Sequence, residues 1–186
     1  MGLKLITAPA TEPVTVAEAR DHLRVDIPDE DLLIGALIVA ARKWIEEYTG
    51  RQLVTAEWDW VMDGFCGTLS VPIPPLQSVV SIKHLDSAGV LQTIDAADYR
   101  VDAVNEPGRI EPQYGKSWPS TYPVMGAVTV RFLAGYGSSV PEPIRQALLM
   151  LVGELYEQRQ DSVTSSVNGV PFGVRALLAP YKVWNL

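Results

Sequence analysis

The chain of 186 residues carries 15 basic and 22 acidic side chains, a formal net charge of −7, with 47% apolar and 20% charged residues. That balance excludes the disordered and collagen-like classes, and the length suits one domain or one domain bearing an inserted subdomain. The acidic sign argues against a protein that grips nucleic acid through its phosphates, although a negative wall lets DNA slide past.

The start, Met1-Gly2-Leu3-Lys4-Leu5-Ile6, lacks the long apolar run of a signal peptide, and an extended lead from Pro9 to Pro13 follows. Thr15-Val16-Ala17-Glu18 reads as a capping box that opens a short helix near residues 15–23. Pro28 breaks the chain, and Asp29, Glu30 and Asp31 place acidic charge where the dipole of a second helix, near residues 29–48, prefers it. Gly50 closes that helix as a left-handed cap. Leu33, Leu37, Ala40, Ala41, Trp44 and Tyr48 form one apolar stripe along it, and Ile34, Ile38 and Ile45 form a second beside it. A helix apolar on so much of its circumference must be buried on most sides. The second stripe, Ile34, Ile38 and Ile45, is therefore the expected subunit interface, with burial inside one monomer as the alternative. The uncharged run 32–41 is about half the length that crosses a bilayer, so no membrane role is expected.

From residue 53 the apolar period changes from helical to two. Trp58, Trp60 and Met62 alternate with Glu57, Asp59 and Asp63, and Leu69, Val71 and Ile73 alternate likewise. Residues 79–85 and 90–94 flank Asp86-Ser87-Ala88-Gly89 as a hairpin, and short strands are expected at 99–101 and 109–111. Val128, Val130 and Phe132 alternate with Thr129 and Arg131 in the clearest strand. Pro141 and Pro143 start a third helix near 141–160, with Ile144, Leu148, Leu151, Val152 and Leu155 on its apolar face. The expected fold is α+β: an N-terminal helical part at 1–52, an inserted antiparallel β subdomain at 53–137, a long helix at 138–161 that completes the bundle, and a C-terminal arm at 162–186. The hydroxyl-rich stretch 162–168 reads as mobile, and the apolar cluster after it as an anchor.

The search for chemistry returns no enzyme. The single cysteine, Cys66, excludes an internal disulfide and a cysteine-rich zinc site, and reads as a small apolar loop or core residue. His22 and His84 lie in different elements without further ligands at metal spacing. Asp29, Glu30 and Asp31 are explained by the helix dipole, and no nucleophile elbow or phosphate-cradling glycine loop is present. No catalytic residue, metal or cofactor is expected. Trp58, Trp60, Trp118, Tyr114 and Tyr122 leave a saccharide-binding module as the alternative, set against their use as core and loop plugs.

The order of motifs resembles the head–tail connector (adaptor) proteins of tailed bacteriophages and gene transfer agents. The matching pieces are Glu12-Pro13-Val14-Thr15-Val16-Ala17-Glu18-Ala19, His22-Leu23-Arg24-Val25, residues 29–51, and Pro74-Pro75-Leu76-Gln77-Ser78-Val79. Further matches are Pro107-Gly108-Arg109-Ile110, Phe132-Leu133-Ala134-Gly135-Tyr136-Gly137, residues 141–149 and residues 171–181. The resemblance implies a helical bundle bearing a β insertion, in a ring of about twelve copies below the portal. Such a ring extends the DNA channel without sequence-specific binding and docks the next tail-side component, the stopper. The expected location is the head–tail junction of a virion or phage-like particle, reached from the bacterial cytoplasm. Phe172, Val174, Leu177, Leu178, Tyr181 and Trp184 are the expected portal-docking anchor, the alternative being that this segment folds back on its own subunit.

Overall fold

In the computed structural model, which describes residues 2–157 and 171–184, the first two helices form where the predicted caps place them. The Thr15 hydroxyl accepts from the Glu18 amide at 3.1 Å and the Glu18 carboxylate accepts from the Thr15 amide at 2.7 Å, opening α1 (Val16–Leu23). The Thr15 amide first, and then the Thr15 hydroxyl donating to the same carboxylate at 2.9 Å, hold the Glu18 carboxyl below its ordinary range. A single 3₁₀ turn, Pro28–Glu30, precedes α2 (Asp31–Thr49), and Gly50 ends α2 with a left-handed φ of 71°. The third helix, α3 (Glu142–Glu157), starts at the expected prolines, and α4 (Phe172–Leu178) follows after the segment 158–170. The hydroxyl-rich stretch expected to be mobile lies outside the described residues.

The strands are β1 (Gly2–Thr7), β2 (Ala56–Met62), β3 (Leu69–Ser70), β4 (Leu76–Leu85), β5 (Leu91–Ile94), β6 (Tyr99–Asp102), β7 (Arg109–Pro112) and β8 (Val128–Ala134). They form an antiparallel five-stranded sheet in the order β1-β2-β8-β4-β5 and a three-stranded sheet in the order β3-β7-β6. Trp58 pairs with Phe132, Trp60 with Val130 and Met62 with Val128. This face, with Ile82, Leu69, Val71 and Ile110, makes the core of the β unit. The strand expected from the alternation of Leu69, Val71 and Ile73 is shorter than that alternation suggests, ending at Ser70, while Val71 and Ile73 still pack into that core.

The first residues differ from the expectation that 1–52 is helical. Gly2–Thr7 is a strand on the edge of the five-stranded sheet, with Leu3 opposite Trp60, Leu5 opposite Trp58 and Lys4 opposite Asp59. The alternation Leu-Lys-Leu matches the pleat of β2, which only the tertiary pairing makes visible. The chain divides into a β unit, Met1–Ala10 with Val54–Tyr136, and a helical unit, Thr11–Leu53 with Gly137–Leu186. In the β unit, Gly135 sits at φ 128°, and a Cβ there would lie 2.6 Å from the Val54 carbonyl carbon. Glycine is required at that close approach. Gln77 ties the same place together by donating to the Gly135 carbonyl at 2.7 Å and to the Thr55 hydroxyl at 2.9 Å.

In the helical unit, α1, α2 and α4 all pack against α3, around Ile34, Ile38, Ala41, Ile45, Ile144, Leu148 and Val152. A charged side chain sits inside this packing. Arg42 is 6% exposed, donates to Glu12 at 2.6 Å and to Glu46 at 2.8 Å, and thereby ties the lead before α1 to the last turns of α2. Glu46 also accepts from the Leu53 amide at 3.0 Å and the Gln52 side chain at 2.6 Å. Burial pushes the Glu46 carboxyl up, against the opposing pull of the Leu53 amide and Arg42. Truncating one partner of such a cluster leaves a buried charge uncompensated. Arg42→Ala is expected to lower unfolding free energy by about 3–5 kcal/mol in urea titrations, and Arg42→Met with Glu46→Gln to lower it less.

On the outer face of the five-stranded sheet, Arg131 donates from Nε and Nη2 to Asp59 at 2.7 and 2.8 Å. Those hydrogen bonds hold the Asp59 carboxyl below the usual carboxylate range. A lowered value means that the pair stabilises the fold above about pH 4 and that this stabilisation is lost as pH falls through the lower folded value. The Arg131 side chain is 38% exposed, so water screens the pair. Asp59→Asn is expected to cost about 1 kcal/mol at pH 7 and progressively less below about pH 3, as read from denaturation curves across pH.

Candidate docking surfaces

The six residues of the expected anchor divide into two groups. Val174 and Leu178 are fully buried, and Leu177 and Tyr181 are half-buried, because α4 lies against α3. Gly173 makes that approach possible, since a Cβ there would meet the Met150 methyl at 3.0 Å. The chain then makes a 3₁₀ turn, Ala179–Tyr181, and returns to the end of α2. The Val183 amide donates to the Thr49 carbonyl at 2.8 Å, and Arg51 donates to the Tyr181 carbonyl at 2.5 Å. Val174 and Leu178, with Leu177 and Tyr181 in part, thus pack into the subunit's own fold, as in the fold-back alternative for this segment. Phe172, 86% exposed, and Trp184, 73% exposed, remain outside it.

The two stripes of α2 differ in exposure within the single chain. Ile34, Ile38 and Ile45, read as the subunit interface, are 0–1% exposed within the single chain. The reason is the position of α3 and α1, which meet α2 on the side that these isoleucines occupy. About a quarter turn round the helix, the other stripe is the one left partly open. Leu33 is exposed, Leu37 and Trp44 are half-buried, and Tyr48 is covered by Lys182, whose ammonium lies 4.8 Å from its ring centroid. Arg42 and Glu46 also escaped the sequence reading. The signal was a charged pair at i and i+4 in phase with the buried isoleucines.

In the β unit the aromatic residues serve the interior. Trp60 is buried and Trp58 packs on the same core. Trp118 donates its indole N–H to the Gly67 carbonyl at 2.6 Å and stacks on Phe65 with centroids 4.7 Å apart. It is thus a loop plug, and the stacking surface needed for saccharide binding is not formed by these tryptophans. Tyr114 and Tyr122 are exposed on separate loops. Cys66 is exposed beside the plug, and His84 is buried against Phe65. Among the described residues, no three histidine, cysteine or carboxylate side chains converge as metal ligands, and no helix is long and apolar enough to cross a membrane.

With surfaces rather than a reaction centre on view, comparison with known proteins supplies the context. Residues 13–82, which span α1, α2, β2, β3 and most of β4, match the family described as phage gp6-like head-tail connector protein. Over the whole chain, the fold is similar to a chain in the neck of an empty gene transfer agent particle computed with C6 symmetry. The TM-score is 0.81 at 30% identity, covering 100% of this chain and 97% of that one. A chain in the virion of the native gene transfer agent particle matches with a TM-score of 0.80 at 29% identity and the same coverage. The chain belongs to the phage gp6-like head-tail connector family. A third similar chain, from the neck of the native particle computed with C12 symmetry, has a TM-score of 0.77 at 28% identity, again covering 100% and 97%. No curated protein matches the connector's sequence.

The connector's split anchor makes a prediction that separates its two groups. Leu178→Ala, at a fully buried site, is expected to destabilise the protein by about 2–5 kcal/mol, with a matching fall in melting temperature. Phe172→Ala and Trp184→Ala are expected to stay within about 0.5–1 kcal/mol of the unmodified protein in the same melting series.

Proposed function

We propose that this structural head–tail connector closes into a ring of about twelve copies beneath the portal protein of a tailed phage or gene transfer agent particle. The observation that carries the reading is the end-to-end match, at 30% identity, to a chain of a gene transfer agent neck. Its place is the head–tail junction of the particle. The ring prolongs the DNA channel and presents a docking surface to the next tail-side component, the stopper. Such a role needs surfaces and closure rather than turnover. A chain of net charge −7 suits a channel wall, since it repels the phosphate backbone and leaves DNA free to move.

Portal docking falls to the part of the C-terminal anchor that the subunit does not bury. Phe172 and Trp184 are large, exposed and carried on a segment that Val174 and Leu178 fasten to the subunit. Fastening lowers the ordering cost of docking, because only the outward-facing side chains have still to be fixed. Leu177 and Tyr181, half-buried beside them, form the flank of the same contact.

Electron microscopy of the protein mixed with its cognate portal tests the reading. A ring of added density on the portal is expected, and bare portals at saturating connector overturn it. In binding assays against the portal, Phe172→Ala and Trp184→Ala are each expected to weaken affinity roughly thirtyfold, about 2 kcal/mol, while leaving melting unchanged.

A further inference from the structure

We propose that the open part of the α2 stripe, Leu33, Leu37 and Ala40 with Leu32 beside it, receives a second copy of this chain. The inference rests on the ring reading above and names the face through which the ring closes. One side of α2 is filled by Ile34, Ile38, Ala41 and Ile45 in the subunit's own core. At its C-terminal end the neighbouring stripe is covered by the chain itself: Trp44 stacks on Tyr48 with centroids 5.0 Å apart, and Lys182 lies over the Tyr48 ring. At the N-terminal end the stripe is left partly open, with Leu37 half-buried. Leu32 is 91% and Leu33 39% exposed, and Ala36 and Ala40 are exposed as well. Two outward leucines followed by two alanines leave an apolar surface that a neighbour can approach closely.

Charge indicates what that neighbour is. From Leu32 to Ala41 the helix carries no ionisable side chain, although the whole chain has a net charge of −7. Copies of an acidic protein repel wherever their carboxylates face each other, so an uncharged, apolar stretch is where two copies meet at least cost. The similar chains belong to necks computed with C6 and C12 symmetry, and in a closed ring each copy has a neighbour on either side. A contact around such an axis is heterologous, so the stripe of one copy meets a different surface of the next. That requirement suits a stripe that is open at one end and closed at the other by its own chain, because it gives the contact a direction.

The test uses Leu33→Asp and Ala40→Asp in the full chain, each mixed with the portal protein of the same particle. Melting is expected to stay within about 2 °C of the unmodified protein. Variant copies are expected still to bind portal, and complete rings are expected to disappear from micrographs. In an equal mixture with unmodified protein, each variant copy keeps its other face and ends a growing arc, so complete rings should fall roughly tenfold or more. Should Leu33→Asp lower the melting temperature, Ala40→Asp, at an exposed position, decides the matter. Complete rings from the Ala40→Asp variant overturn the proposal, and so does loss of single-copy portal binding, which would assign the stripe to the portal. Bare portals with the unmodified protein overturn the ring reading and this inference together. Rings formed by unmodified and variant proteins alike overturn only the inference.

Discussion

The helical unit depends on one buried cation. Arg42 lies among the isoleucines of α2, yet it bonds outward to Glu12, before α1, and along its own helix to Glu46. Glu46 in turn holds the Leu53 amide, at the point where the chain leaves the helical unit. One cluster therefore fastens both the entry and the exit of the segment Thr11–Leu53. A hydrophobic core would give comparable burial, but it would not specify where the chain enters and leaves. Ion pairs with directional hydrogen bonds do specify it, at the cost of desolvating the charges.

A similar economy governs the apolar surface. A chain of this size has enough apolar residues to fill two cores and leave some outside. In the β unit, almost every tryptophan that could have formed a ligand platform is drawn inward. In the helical unit the surplus lies outward on α2, at Phe172 and at Trp184. A connector has to be a folded subunit first and a set of contact surfaces second. The C-terminal segment divides its own apolar groups: Val174 and Leu178 secure it, and Phe172 and Trp184 are exposed.

The acidic balance fits the same division. Several exposed charges are matched locally, as in Asp102 with Arg109 and Arg100 with Glu111 on the three-stranded sheet. These pairs are exposed and contribute little to stability, but they keep the β unit's surface polar and without a strong field of either sign.

Local signals were legible in the sequence because they are short-range. The Thr15–Glu18 capping box, the Gly50 cap, the Asp86–Gly89 turn and the alternation of β8 each depend on residues within a few positions of one another. They sufficed for an α+β bundle with an antiparallel insertion, and the ordered motifs sufficed for the connector family. What only the tertiary structure decided is which apolar face meets which neighbour. Gly2–Thr7 became a strand because β2 offered it an edge, and Ile34, Ile38 and Ile45 became core because α1 and α3 lie on their side. Periodicity reveals that a helix has two apolar stripes, but the stripes are chemically alike. The choice between interior and interface belongs to packing against other elements, α3 above all, which no local pattern encodes.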